Sequence, residues 1–235
     1  MIAEYWRITA VEVRDGREAH VLPLGPADLK GRLPARRRYR TDARRSLRGA
    51  TRHPNAATRA RRLSMTLRLM LLRHAKSDRP DGVADERRPL AARGRRDSPR
   101  MGRHIVRKGL LPDLALVSTA YRAQETWQAV SSAFDRRVPV RNEPRLYEAT
   151  SRGLFELVKE TKPEIASLLL VGHNPGLHEF ALALIGAGDR QDLARLRDGL
   201  PTAGLVIIDL EVGTWSALAT GLGMLKGFET PGRIG

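Results

Sequence analysis

A short apolar segment that ends in two polar side chains constrains the fold of this chain more than any other feature. Residues Leu67 to Leu72 are apolar except for Arg68, and Arg73 and His74 follow directly. A run of this length and composition predicts a strand buried on both faces of a parallel sheet. In open α/β sheets ligands bind at the carboxyl ends of the strands, so we expect Arg73 and His74 at a ligand site.

Arginine and histidine side by side suit the chemistry of phosphate. A neutral imidazole is a nucleophile that titrates near physiological pH, and it can accept a phosphoryl group. A guanidinium offers a planar fork of donors that matches phosphate oxygens. On their own, however, Arg73 and His74 also fit a strand that merely ends in two polar residues.

Two further predicted strands end in a similar way. Residues 114–118 are followed by a predicted helix, which places Arg122 near a helix amino terminus, where backbone N–H groups favour an anion. Residues 167–172 are followed directly by His173. Cationic or imidazole side chains at three separate strand ends are hard to ascribe to chance.

Three motifs at these strand ends are similar to those of one known family. They are Arg73-His74-Ala75-Lys76-Ser77, Ser118-x3-Arg122-Ala123-x2-Thr126 and Val171-Gly172-His173-Asn174-Pro175-Gly176. Over about residues 66 to 220 the chain resembles the histidine phosphatase (phosphoglycerate-mutase-like) superfamily. Its compact length and the segment from Pro89 to Gly94 resemble the small SixA-like phosphohistidine phosphatase branch.

The resemblance implies a two-step phosphatase. His74 would attack phosphorus, Arg73, Arg122 and His173 would hold the phosphate oxygens, and water would then hydrolyse the phosphohistidine intermediate. The branch implies that the substrate is a phosphohistidine of a protein. Two alternatives stay open: a small-molecule phosphomonoesterase of the same superfamily, and a non-catalytic nucleic-acid-binding protein that binds through an arginine-rich tail.

No cofactor is expected for this chemistry. Phosphoryl transfer depends mainly on positioning and charge stabilisation, which two guanidiniums and an imidazole can supply. The sequence shows no cluster of His, Cys or carboxylate residues at metal-ligand spacing, so we expect no metal requirement. The neighbouring cations should lower the pKa of His74 and keep its ring neutral and nucleophilic.

Glu148 is the first candidate for a general acid. It lies in a predicted loop before a helix, at the position where the resembling superfamily places its acid, although a carboxylate there also suits a helix start. Asp78 and Asp85, in the loop after His74, are weaker candidates. Ser77 could donate a hydrogen bond to the phosphate or could lie in a solvated loop.

The positive charge is concentrated before the predicted domain. Residues 1–64 carry a net charge of +10 and residues 65–235 a net charge of +6, within a total of +16. The segment from Gly31 to Ser64 contains 12 arginines and a single aspartate. Such a segment repels itself and is expected to be disordered. We therefore expect an arginine-rich extension over residues 1–64 and a histidine phosphatase domain over residues 65–235.

The extension has two alternative interpretations. It could be an arm that binds nucleic acid or another polyanion, or the natural protein could begin at Met65, two residues before the first strand. Within the extension, the turn signal Asp15-Gly16 predicts an isolated hairpin.

The alternation of strands and helices predicts a three-layer α/β/α sandwich with a mostly parallel sheet. One helix is predicted from an N-cap at about Asp97 to Lys108, with Pro99 in its first turn and Gly109 as its stop. Near the end of the chain, the segments Gly204–Leu210 and Trp215–Thr220 are predicted to pair as an antiparallel hairpin.

Composition indicates a cytoplasmic protein. The sequence has no stretch of 18 apolar residues and no apolar signal segment, and it contains no cysteine.

No long insertion separates the three motifs, so little chain is available to build a lid over the pocket. An open pocket suits a phosphohistidine on a protein surface better than an enclosed metabolite.

Overall fold

The computed structural model describes residues 66–234 and, before them, the backbone of two short strands. Strands β1 (Val13–Asp15) and β2 (Glu18–His20) pair antiparallel. This pairing confirms the hairpin predicted around Asp15-Gly16. The remaining predictions for residues 1–64, which are disorder, a polyanion-binding arm and a start at Met65, lie outside the described residues.

Seven strands of the described part of the chain form one mixed sheet. Their spatial order is β5-β4-β6-β3-β8-β9-β7, and six of them run in one direction while β8 runs in the other. The sheet is therefore mostly parallel, as predicted. In chain order the strands are β3 (Leu67–Arg73), β4 (Leu114–Val117), β5 (Val140–Asn142), β6 (Ser167–Gly172), β7 (Ile185–Gly188), β8 (Leu205–Leu210) and β9 (Gly223–Glu229).

Five α-helices and three short 3-10 turns connect these strands. None of the helices within the described residues is long and apolar enough to cross a membrane. The helices are α1 (Ala92–Arg107), α2 (Tyr121–Ser131), α3 (Ser151–Lys159), α4 (Gly176–Leu184) and α5 (Arg190–Asp198). The 3-10 turns are Asp85–Arg87, Pro144–Leu146 and Trp215–Ala217.

The central strand β3 packs against helices on both faces. Its side chains alternate, as the two-residue period of a strand requires. Leu67, Leu69 and Leu71 join an apolar cluster with residues of α3 and α4, whereas Met70 and Leu72 join a second cluster with residues of α1 and α2. This arrangement confirms the three-layer α/β/α sandwich.

The strand that pairs with β8 lies later in the chain than the sequence analysis placed it. The predicted strand Trp215–Thr220 is wrong: Trp215–Ala217 is a 3-10 turn, and β9 pairs antiparallel with β8. Trp215 is fully buried, and its Nε1 donates to the carbonyl of Ile165 at 2.7 Å. The apolar character of this segment thus reflects packing of a turn, whereas the exposed Lys226 interrupts the apolar pattern of β9.

Helix α1 begins at Ala92 rather than near Asp97. Asp97 is not an N-cap; it is buried within the helix and accepts a hydrogen bond from Arg93 Nε at 3.3 Å. The prediction placed Pro99 in the first turn because proline is favoured there, but Pro99 lies in the helix interior. The arginines before Asp97 are good helix formers and extend the helix toward its amino end.

The carboxyl end of α1 follows the prediction. Gly109 has φ +63°, a left-handed conformation that glycine adopts without strain. Its N–H donates to the carbonyl of Val106 at 3.0 Å, and the N–H of Leu110 donates to the carbonyl of Ile105 at 2.9 Å. This pair of hydrogen bonds is the Schellman motif, which ends the helix.

The carboxyl ends of the three strands that precede the motifs lie at the same edge of the sheet. Strands β4, β6 and β3 are parallel neighbours, with Arg73 opposite Gly172 and Val117 opposite Val171. Because parallel strands in register end together, the residues that follow each of them lie at the same edge of the sheet.

Gly94 lets α1 approach the loop after β3, and its replacement should destabilise the fold. A Cβ on Gly94 would lie 2.2 Å from the Lys76 carbonyl oxygen. We expect Gly94→Ala to lower the free energy of unfolding by about 1–3 kcal/mol, measured by urea denaturation with tryptophan fluorescence.

Gly153→Ala in α3 is the matched control. A Cβ there meets nothing closer than Thr150 Oγ1 at 3.5 Å, so this variant should be neutral or gain up to about 1 kcal/mol from helix propensity. Equal stability of the two variants would contradict the close approach at Gly94.

Candidate active site

His74 is held just beyond the carboxyl end of β3. Its backbone N–H donates to the Gly172 carbonyl at 3.0 Å, so the chain stays in register with β6. The side chain is buried, with 8% of its surface exposed, and Nδ1 donates to the Ala75 carbonyl oxygen at 2.8 Å. A carbonyl can only accept, so Nδ1 carries the proton of the neutral ring and Nε2 keeps its lone pair.

The pKa of His74 is lowered to about 3. The main cause is burial, which disfavours the charged ring; the charges of His173, Arg122 and Arg73 lower it further. The direction agrees with the sequence-based expectation, but the neighbouring cations are a secondary cause. The Ala75 hydrogen bond acts in the opposite direction and raises the pKa.

His173 follows β6 and lies beside His74. The centroids of the two rings are 5.0 Å apart, and His173 Nε2 shares a hydrogen bond of 2.8 Å with Ser118 Oγ. Burial, followed by the charge of Arg122, lowers the pKa of His173 to about 4. Both imidazoles are therefore neutral at physiological pH.

Two arginines supply the positive charge of the site. Arg73 donates from Nη1 to the Leu200 carbonyl at 2.8 Å, and burial lowers its pKa. Arg122, at the start of α2, is buried and directs both terminal nitrogens to Asp85: Nη1 donates to the main-chain oxygen at 2.6 Å and Nη2 donates to Oδ2 at 3.0 Å.

Three of these residues each have one buried polar atom without a partner. The atoms are Nε of Arg73, Nε of Arg122 and Nδ1 of His173. Buried polar groups are satisfied in most proteins, because an unmet donor loses its hydration without compensation. On all three residues predicted to hold phosphate, one buried nitrogen without a protein partner is thus available to the oxygens of an oxyanion.

Asp85 and Tyr147 join the site through hydrogen bonds that the sequence analysis did not anticipate. The Asp85 carboxylate accepts from Arg88 at 2.9 Å and from the Tyr147 hydroxyl at 3.1 Å, besides its bonds from Arg122. The Tyr147 ring lies edge-on to His173, with centroids 5.6 Å apart, and its centroid is 5.9 Å from Arg122 Cζ. No local sequence pattern marks these contacts, because they join residues from separate segments of the chain.

The pKa of Asp85 is lowered to about 2, first by the hydrogen bond from Arg88 and then by Tyr147 and Arg122. Asp85 is therefore ionised at neutral pH and has no proton to donate. Asp78, the other weaker acid candidate, uses Oδ1 to accept from the backbone N–H of Arg79 at 2.9 Å.

Glu148 lies at the mouth of the site. It is exposed, its backbone has φ +52°, and it lines a cavity of about 420 Å³ together with Arg122, Tyr147 and His173. A side chain with a left-handed backbone is strained, and such strain is concentrated at functional sites.

Ser77 is placed differently from the other predicted residues. Its hydroxyl accepts from Arg88 Nη2 at 2.8 Å, and its backbone forms an isolated bridge with Leu90. Like Arg73 and His74, it does not line the cavity that Glu148 borders. Its predicted contact with phosphate stays a prediction.

The described residues contain no group of three or more His, Asp or Glu side chains arranged to hold a metal ion. What the site offers instead is one nucleophilic imidazole, one second imidazole and two guanidiniums. This set can bind and attack a phosphoryl group.

Comparison with known proteins agrees with the geometry. Residues 69–168 match the model of the histidine phosphatase superfamily, branch 1. A protein of Mycobacterium tuberculosis strain H37Rv, itself uncharacterised, is 34% identical over 162 residues, which cover 68% of this chain and 99% of that protein. The chain belongs to the histidine phosphatase superfamily.

Solved structures place it in the SixA-like branch. A protein of Agrobacterium tumefaciens assigned as the phosphohistidine phosphatase SixA is 31% identical, with a TM-score of 0.61, over 72% of this chain and 100% of that one. A similarly assigned protein of Nakamurella is 25% identical, with a TM-score of 0.58, over 72% and 98%. This histidine phosphatase is therefore a hydrolase that acts on phosphorylated substrates.

Both active-site imidazoles should stay neutral over the range where histidine normally titrates. A group whose pKa is lowered to about 3 or 4 takes up its proton only below that pH, whereas a free histidine titrates near 6.5. We expect ring resonances of His74 and His173 in an NMR titration to remain constant from pH 8 to pH 5. The variants His74→Gln and His173→Gln assign the signals.

The same shifts predict the direction of the stability change with pH. Because the unfolded chain binds protons at these histidines below about pH 6.5 and the folded chain does not, stability should fall as pH drops from about 6.5 toward 4. A His74 resonance that titrates near pH 6.5 would contradict this account of the site.

Proposed function

We propose that this histidine phosphatase works without a metal, through a phosphohistidine at His74, and removes phosphate from phosphohistidine residues of proteins. One observation carries the catalytic part of the proposal: His74 keeps an unprotonated Nε2 beside three buried nitrogens that lack partners. An oxyanion bound to those nitrogens would lie next to the nucleophile.

The reaction has two displacements at phosphorus. In the first, the Nε2 lone pair of His74 forms the N–P bond while the bond from phosphorus to the leaving group breaks, and the leaving group keeps that electron pair. In the second, water attacks phosphorus, the N–P bond breaks, and inorganic phosphate leaves with His74 restored to its neutral form. Each step transfers one phosphoryl group and needs no oxidant or reductant.

Arg73, Arg122 and His173 hold the oxygens of the transferred group. Because His173 is neutral before phosphate binds, the two guanidiniums provide the positive charge and the imidazole provides a hydrogen bond. Charge stabilisation is strong in this buried setting, since the groups are fixed before the reaction begins.

Glu148 is the proposed general acid. It borders the cavity, is accessible to solvent, and lies beside Tyr147, whereas the low pKa of Asp85 excludes that residue from the role. An alkoxide or phenoxide leaving group needs a proton, but the N–P bond of phosphohistidine is weak and needs less assistance. The acid should therefore matter more for phosphate esters than for phosphohistidine.

Two observations support a protein substrate. The Agrobacterium protein, which is 31% identical over its whole length, is assigned as a phosphohistidine phosphatase. Apolar side chains are also exposed near the site: Tyr121, next to Arg122, is 51% exposed, and Val83, two residues before Asp85, is 38% exposed. Exposed aromatic and aliphatic groups of this kind favour contact with another protein.

Replacement of His74 tests the nucleophile. We expect His74→Ala to lower kcat by more than about a thousandfold, because Nε2 of His173, the other imidazole of the site, is engaged in a hydrogen bond with Ser118 Oγ. Rapid mixing with labelled substrate, followed by an alkaline quench and peptide mapping, should recover phosphate on His74 of the unmodified enzyme.

His178→Gln is the control for this experiment. His178 lies in α4, where its Nε2 is 2.6 Å from the Leu196 carbonyl, and its loss should leave the intermediate in place. Near-normal turnover by His74→Ala, or label on a different residue, would overturn the assignment.

A substrate panel tests the class of substrate and the acid together. The unmodified enzyme should prefer a phosphohistidine protein over phenyl phosphate and common sugar phosphates by at least about tenfold in kcat/KM, or roughly 1.4 kcal/mol. Glu148→Gln should lose about a hundredfold on phenyl phosphate and little on phosphohistidine.

Glu179→Gln, which alters another carboxylate of the same cavity, serves as the control and should change neither activity. A preference for a sugar phosphate would favour the small-molecule phosphomonoesterase. Equal losses of Glu148→Gln on all substrates would contradict the role of a leaving-group acid.

A further inference from the structure

Helix α1 carries a row of arginines on its solvent-exposed face. We define the arginine ladder as Arg93, Arg96, Arg100, Arg103 and Arg107, which are all exposed. Their spacing of three and four residues places them within an arc of about 80° of the helix surface, at 3.6 residues per turn. The ladder is about 21 Å long at 1.5 Å per residue.

The ladder is only partly neutralised. Arg93 donates to Asp97, and Arg100 donates to the Ile234 carbonyl at 2.9 Å. Within the described part of the chain, Arg96 and Arg103 have no hydrogen-bond or ion-pair partner. Like charges three and four residues apart destabilise a helix, so this row is unfavourable for the folded chain alone. A partner with negative charge would remove that repulsion.

The amino end of the ladder adjoins the active site. The Cα of Gly94, next to Arg93, packs against the backbone of Lys76, two residues after His74. A polypeptide whose phosphorylated side chain reaches His74 can therefore continue along α1. The ladder extends away from the reaction centre and does not belong to the phosphate-binding group.

We propose that the arginine ladder binds an acidic segment of the phosphoprotein, so that the enzyme selects phosphohistidines near runs of Asp or Glu. This inference rests on the proposed function. Arginine suits the role because its planar guanidinium pairs with carboxylates in a bidentate manner. Six extended residues span about 20 Å, which matches the ladder.

The chemistry of α1 favours an acidic polypeptide over nucleic acid. The exposed face of the helix has no aromatic side chain on which bases could stack, and stacking contributes much of the affinity for single strands. The position of the ladder beside a site for protein phosphohistidine also favours a polypeptide. Nucleic acid is retained as an outcome of the test.

The experiment uses the full-length protein and three synthetic phosphohistidine peptides of equal length. The peptides carry six Glu, six Ser or six Lys residues at the same distance from the phosphohistidine. We expect kcat/KM for the Glu peptide to exceed that for the Ser peptide by about tenfold at low salt, and the difference to shrink at high salt. The Lys peptide should be the poorest substrate.

A double charge reversal isolates the ladder. Arg96→Glu with Arg103→Glu leaves the structural contacts of Arg93 and Arg100 intact, and it should abolish the preference for the Glu peptide. Its activity on phenyl phosphate should stay within about twofold of the unmodified enzyme. Arg137→Glu with Lys162→Glu is the matched control: both residues are exposed and precede β5 and β6, at the opposite edge of the sheet from the site.

The outcomes separate the two proposals. Hydrolysis of all three peptides at similar rates, or an unchanged preference in the Arg96/Arg103 variant, overturns the acidic-segment inference and leaves the phosphohistidine function standing. Hydrolysis of phenyl phosphate but of no phosphohistidine peptide overturns the proposed substrate itself. Binding of a 20-base-pair DNA duplex that the Arg96/Arg103 variant loses, without any peptide preference, would assign the ladder to nucleic acid instead.

Discussion

The hydrogen bond from His74 Nδ1 to the Ala75 carbonyl determines the chemical state of the whole site. It selects the tautomer that leaves Nε2 free, because the main-chain oxygen of Ala75 can accept a hydrogen bond but cannot donate one. That oxygen is well placed because the adjacent backbone is fixed: the Ala75 N–H donates to Thr126 Oγ1, and the Ala203 N–H lies 3.1 Å from the Arg73 carbonyl and 3.2 Å from that of His74. The geometry of the proposed nucleophile thus follows from sheet register and one helix side chain, that of Thr126.

Burial links this tautomer to reactivity. A desolvated imidazole resists protonation, so a ring held beside two guanidiniums stays a nucleophile at neutral pH. In the same buried setting, nitrogens of Arg73, Arg122 and His173 have no protein partner, and an unmet buried donor is unfavourable for folding. Groups arranged in this way before the substrate arrives need little reorganisation during reaction, so the site gives up some stability for function.

The sequence predicts those parts of the structure that are decided by a local residue pattern or by the order of strands along the chain. The continuous apolar run of β3 requires burial on both faces, and parallel strands bring Arg73 and His173 to one edge regardless of the loops between them. The prediction was wrong where one sequence pattern fits two structures. An apolar segment suits a strand, but the one at Trp215 packs as a buried turn. Proline suits the first turn of a helix, but Pro99 lies in the interior of α1. The contact between Asp85 and Tyr147 could not be predicted, since loop conformation decides it.

That loop contact changes how the arginine can meet a phosphate. Asp85 accepts from both terminal nitrogens of Arg122, and only Nε of that guanidinium is buried without a partner. Each terminal nitrogen of Arg122 donates one N–H to Asp85 and keeps a second, so an oxyanion can meet Nε or these N–H groups without displacing the carboxylate that Arg88 and Tyr147 also hold. Two anions on opposite sides of one guanidinium repel each other less than two anions on the same side. We therefore expect Asp85 to fix the orientation of Arg122 and to leave Nε and the second N–H of each terminal nitrogen available for a phosphoryl group.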